Sequence, residues 1–236
     1  MKREYHKWYS PVLAREMELL VFGHAGTPAL VFPTSCGRFF QFEDYGMVAA
    51  VAEKLEQGRL QLFCVDSVDA ESWYGRGISP RQRIARHLKY EAYLLEEVLH
   101  FIHGQNGAPG LAAIGCSFGG YHAANLALRH PDIFASLLSM GGVFDAEQFL
   151  NGYYDQNAYF NLPFHYLPGL NDPWFLNRLR HNAHILATGI QDQGRGQNER
   201  LAGLMRDKGI PVRLEVWGGE AGHDWPWWRK MMQAYL

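Results

Sequence analysis

The chain has 236 residues, a net charge of −2 from 22 Lys+Arg against 24 Asp+Glu, and 47% hydrophobic residues. Near-balanced charge gives no basic surface for a phosphate backbone, and the apolar content argues against disorder. Aromatic residues reach 14%, the most unusual figure in the composition.

Taken in chain order, residues 1–10 (MKREYHKWYS) carry no apolar signal-peptide core, and no run approaches a membrane span. The three cysteines, Cys36, Cys64 and Cys116, show no disulfide or Cys-x-x-Cys spacing. The expectation is a cytoplasmic protein without a nucleic-acid or membrane partner. Met17–Val21 and Ala29–Phe32 predict strands, joined across Gly23, Gly26 and Pro28 as a hairpin. Asp44–Gln57 predicts an amphipathic helix and Leu60–Val65 a strand. Ser79-Pro80 predicts an N-cap and first turn, with the helix running to about His103.

Leu111–Gly115 predicts a strand, Phe118–Arg129 a helix of small residues, and Ala135–Met140 a strand. Ile185–Thr188 and Val212–Val216 predict two more strands, with the helix Asn198–Lys208 between them and a last helix from about Asp224. This alternation implies one domain, 1–236, with a mostly parallel sheet covered on both faces and an antiparallel N-terminal edge. Residues 143–182 break the pattern and are expected to form a cap-like insertion of short helices and turns.

Gly115-Cys116-Ser117-Phe118-Gly119 matches Gly-x-Ser-x-Gly. The pattern alone is weak, but it ends a predicted strand and opens a predicted helix, the setting in which a serine hydroxyl is exposed on a tight turn. A Gly-rich turn with an incidental serine, or an anion-binding helix start, is the competing reading; neither Gly-x-Gly-x-x-Gly nor a Gly-x4-Gly-Lys-Ser/Thr motif is present. A serine nucleophile needs a base and an orienting acid, in the order Ser, Asp/Glu, His for this type of fold. His223 follows the last strand and is the expected base. Asp192 follows the strand before it and is the expected acid, with Asp145 as competitor; Asp224 is expected to cap the last helix. The oxyanion donors are expected at the N–H groups of Phe118 and Ser35, with Cys36 next. Cys36, Arg38, Trp73, His122, Phe144, Tyr159 and Trp225 are expected to line the substrate site. No histidine pair shows metal-ligand spacing within a plausible site, and neither a metal nor another cofactor is expected.

These motifs, together with VFPTSCGRF, DSVDAESWY, GCSFGGYHAANLALRHP, ATGIQD and GGEAGHDWPWW, resemble the α/β-hydrolases, and within them the bacterial esterase group related to esterase D. The resemblance implies the α/β-hydrolase fold, within which residues 143–182 read as a small aromatic-rich insertion after the sixth strand. It also implies Ser117, Asp192 and His223 as a catalytic triad of an ester hydrolase; the one modest insertion, without a long apolar lid, predicts a small-molecule ester of short acyl length. The lipase sequence His-Gly-Gly-Gly is absent, so Ser35 and Cys36 both stay open as oxyanion donor. An acyltransferase or thioesterase with the same triad, or a non-catalytic binding protein of the same fold, is the alternative. The oligomeric state, a homo-oligomer included, is left open. Ten aromatic residues fall between 144 and 175, where they either pack the insertion down or form a substrate wall.

Overall fold

The computed structural model describes residues 1–236. Eight strands form one sheet: β1 (Arg3–Ser10), β2 (Arg15–Phe22), β3 (Thr27–Phe32), β4 (Leu60–Val65), β5 (Leu111–Cys116), β6 (Phe134–Met140), β7 (Ala183–Gly189) and β8 (Arg213–Trp217). Their spatial order is β1-β2-β4-β3-β5-β6-β7-β8. From β4 to β8 every pairing is parallel, whereas β1 pairs antiparallel with β2 and β2 antiparallel with β4. This is the α/β-hydrolase architecture with an antiparallel edge.

Two expectations need correction here. No hairpin joins β2 and β3: β4 lies between them, because its wholly buried run LQLFCV pairs on both sides. The antiparallel edge comes instead from β1, whose alternating exposed and half-buried residues gave a weak apolar signal. The helix expected over Asp44–Gln57 is broken into Gln41–Asp44, Met47–Ala50 and Ala52–Glu56.

Strand residues alternate between two cores. Leu30, Phe32 and Ala113 face the larger one, which packs under the helices Pro80–Tyr93, Phe118–Arg129 and Arg195–Asp207. Ala29, Val31, Ile114 and Cys116 face the smaller one, under the short helices after β3 and the last helix, Trp225–Tyr235. Period-two alternation on strands buried on both faces produces this division.

Residues 143–182 carry the short helices Glu147–Phe149, Gln156–Phe160, Pro163–Gly169 and Pro173–His181. Phe144, Phe164 and Tyr166 are buried in the larger core, whereas Tyr154, Phe160 and Trp174 are exposed. The aromatic content of this segment thus goes largely into packing a stretch without strands. No helix is long and apolar enough to cross a membrane.

Candidate active site

The parallel register brings the C-terminal ends of β3, β5, β6, β7 and β8 to one edge: Phe32 pairs with Gly115, Cys116 with Met140, Met140 with Ala187 and Gly189 with Trp217. Crevices at that edge are where open α/β sheets bind ligands. Ser117 sits in the turn from β5 into its helix with φ 55° and ψ −124°, a backbone conformation that L-residues avoid. Tight packing holds the turn there. A Cβ on Gly115 would strike Gly119 O, and one on Gly119 would strike Pro33 O and come within 2.6 Å of Phe32 O. The loop after β3 therefore abuts the serine turn.

Ser117, His223 and Asp192 lie in a hydrogen-bonded line. The Ser117 hydroxyl donates to His223 Nε2 at 2.9 Å, and His223 Nδ1–H donates to Asp192 Oδ1 and Oδ2 at 3.0 and 3.1 Å. The Asp192 side chain is 0% exposed and that of His223 is 32% exposed. The acid is thus shielded while the imidazole meets solvent. Burial alone would raise the Asp192 pKa. The hydrogen bond and charge of His223, with the Gly194 N–H at 2.7 Å, outweigh it and hold the carboxyl below its ordinary value. Gly141, after β6, has φ +59°, and a Cβ there would lie 2.8 Å from Asp192 Oδ2 and 3.2 Å from His223 Nδ1. Trp228 meets the His223 ring edge-to-face at 4.9 Å.

Of the other carboxylates, Asp145 accepts from Glu147 N and its own N–H donates to Gln197. Asp224 is the N-cap residue of the last helix but makes no side-chain cap bond. Full burial pushes the Cys116 thiol up, and at the more open Cys36 partial desolvation by the surrounding loop does so with the charge of Asp69 adding to it, so neither presents a ready thiolate.

In the loop after β3, Thr34 N–H donates to Gln41 Oε1, Cys36 N–H to Asp69 Oδ2 and Gly37 N–H to Thr34 O. Among residues 34–37 only the Ser35 N–H is left without an acceptor, and the Phe118 N–H at the helix start is equally unspent. Both N–H groups are therefore free to donate to a ligand. Asp69 was not singled out from the sequence. It is fully buried, and its other oxygen accepts from His122 Nε2 at 2.8 Å. One carboxylate so ties the helix after Ser117 to the loop after β3, where Cys36 is held at φ 55°. The only signal was an acidic residue in the run Asp66–Glu71 after β4.

Several side chains expected on the substrate wall lie elsewhere. Trp73 and Phe144 are buried in the larger core, and buried His122 is bound to Asp69. Arg38 is bound to Asp66 and Glu18, which fixes the loop. Tyr159 lines a separate cavity with Leu128, Arg129 and Phe175, near the far end of the Phe118–Arg129 helix. Cys36 is exposed, and Trp225 stacks on Tyr45 at 4.4 Å two residues from His223. No three His, Cys, Asp or Glu side chains gather so as to hold a metal ion.

No curated protein sequence matches the chain. Among solved structures it is similar to a ferulic acid esterase (18% identity, 100% of this chain and 96% of that one, TM-score 0.76). It is also similar to an S-formylglutathione hydrolase from Agrobacterium tumefaciens (15%, 99% and 92%, TM-score 0.73) and to one from Staphylococcus aureus (17%, 99% and 94%, TM-score 0.68). At these identities the likeness is one of fold. Residues 64–236 match the family model described as "Putative esterase". That match takes in the β4 end, the Ser117 turn, Asp192 and His223, and by it the chain belongs to this esterase family.

Proposed function

We propose that the protein is a serine carboxylic-ester hydrolase working through Ser117, His223 and Asp192. The hydrogen-bonded line of these three side chains at the C-terminal sheet edge carries the reading. Ser117 Oγ attacks the ester carbonyl carbon and His223 Nε2 takes its proton. The Ser35 and Phe118 N–H groups receive the oxyanion. Asp192, held ionised, fixes the imidazole with Nδ1 protonated and stabilises the imidazolium. His223 then gives the proton to the departing alcohol oxygen, leaving an acyl-enzyme. Water, deprotonated by the same imidazole, attacks the acyl carbon, and the acid leaves as Ser117 regains its proton.

Short acyl chains fit best, since residues 143–182 spend most of their apolar side chains on the core rather than on a long lid. A fluorophosphonate should add its mass at Ser117, and Ser117→Ala should abolish p-nitrophenyl acetate turnover. An active but unlabelled enzyme refutes the assignment of the nucleophile. Faster turnover of decanoate than of acetate or butyrate refutes the chain-length preference. Thioesters are a second reading, favoured by two similar folds whose names are S-formylglutathione hydrolase.

A further inference from the structure

We propose that the alcohol side of this cleft is built for a neutral, multiply hydroxylated leaving group, so that the substrate is an acyl ester of a sugar or sugar-like polyol. The proposal rests on the reading of Ser117 as nucleophile and His223 as its base. In that chemistry His223 Nε2 must reach the departing oxygen, so the alcohol half lies against the imidazole. A cavity of about 590 Å³ has His223 in its wall, a size typical of small-ligand sites.

The other side chains of that wall are Gln148, Gln191, Gln193 and Gln197, with Val143 as the one hydrophobic residue and no charged group. A hydroxyl both donates and accepts, and so does a primary amide. Two of the four amides are already oriented by the protein. Gln197 Oε1 accepts the backbone N–H groups of Phe144 and Asp145 at 2.7 and 2.8 Å, which leaves its Nε2 hydrogens to donate. Gln148 Nε2 donates to Asp145 O at 2.7 Å, which leaves its Oε1 to accept. A fixed donor and a fixed acceptor thus border one cavity, beside the free amides of Gln191 and Gln193.

The lining also excludes other alcohols. A fatty alcohol would strip water from these amides and return no hydrogen bond. Beyond Gln148 the surface continues to Asp145, Glu147 and Asn151. An anionic leaving group would meet two carboxylates there, that of Glu147 already partnered by His165 Nε2 at 3.1 Å, whereas hydroxyls can donate to them.

The test holds the acyl group constant and varies the alcohol. The full chain is assayed with methyl 6-O-acetyl-glucoside, n-hexyl acetate and O-acetyl-lactate, with p-nitrophenyl acetate alongside. The sugar acetate should exceed hexyl acetate in kcat/KM by about tenfold or more, the worth of one or two neutral hydrogen bonds, and O-acetyl-lactate should be the poorest. Gln193→Leu and Gln148→Leu should each lower the sugar-to-hexyl ratio by roughly three- to tenfold. The ratio cancels any general loss of folded enzyme. A preference for hexyl acetate or O-acetyl-lactate, or a ratio unmoved in both variants, overturns the proposal while leaving the esterase intact. Failure to turn over p-nitrophenyl acetate, with Ser117 unlabelled, overturns the catalytic reading itself.

Discussion

Replacing Asp69 by Asn exchanges one heavy atom in a residue with no solvent contact, yet it should slow catalysis. The carboxylate accepts Cys36 N–H at 3.1 Å and His122 Nε2–H at 2.8 Å, on different oxygens. An amide can keep only one of these bonds and turns its NH2 toward the other donor. Losing one hydrogen bond to a charged acceptor costs about 1.5–3 kcal/mol. Cys36 is the weaker side, because its left-handed backbone costs roughly 1–3 kcal/mol and relaxes once the bond is gone. Relaxation would carry the adjoining Ser35 N–H out of position. Complete removal of one oxyanion donor costs about 10²–10³ in kcat, so partial displacement should cost ~10–100-fold, with KM changed less than about threefold. Cys36→Gly makes the same backbone angle cheap and should restore part of the loss in the double variant. Steady-state kinetics on p-nitrophenyl acetate, with circular dichroism to confirm folding, decide the matter. An Asp69→Asn enzyme within twofold of the parent kcat, or a double variant no better than Asp69→Asn, would refute the reasoning.

Gly141→Ala should lower kcat at least about tenfold and cost ~1–2 kcal/mol of stability, since the methyl group enters between Asp192 and His223 at a positive φ; unchanged turnover would count against the tight packing of that corner. Asp192→Asn should cost roughly 10³–10⁴ in kcat near neutral pH by losing the Nδ1-protonated tautomer, whereas Asp145→Asn should cost little; the reverse ranking would move the acid to Asp145. Burial, aided by His122, holds His87 down to about 3 in the folded protein, against 6.5 for the free side chain. Between those values the unfolded chain binds a proton that the folded chain refuses, so this site's contribution is complete above pH 6.5 and falls by up to ~1.4 kcal/mol per pH unit toward pH 3. Urea denaturation from pH 7.5 to 4.5 should show this slope, and His87→Phe should flatten it by about one proton; an unchanged slope would show that His87 is not its source.

Legibility in the sequence tracked how local each signal was. Continuous apolar runs such as Leu60–Val65 and the Gly-bounded turn at Ser117 marked their own elements, because burial on both faces and a close backbone approach each restrict residue type within a few positions. Strand order was not local: nothing in Met17–Val21 shows that it pairs with β4 rather than β3. β1 went unseen because only one of its eight residues is fully buried. Substrate-wall residues were harder still. An aromatic ring near the site in sequence is equally suited to core or cleft, and Trp73 and Phe144 went to the core. Asp69 left no pattern, since its partners lie 33 and 53 residues away.

The position of β8 has a consequence for how activity is lost. β8 is an edge strand with no fully buried residue, and the loop that follows it carries His223, while Ser117 is anchored in the middle of the sheet. Edge elements with few buried contacts open at lower free energy than the sheet centre. Local opening there would withdraw the imidazole from an intact nucleophile turn. Inactivation in mild denaturant should therefore precede the loss of ellipticity, and amide exchange should be faster along Arg213–Trp217 than along the central strand Leu111–Cys116. The durability of the enzyme is then set by the edge strand that leads to its imidazole rather than by the global stability of its core.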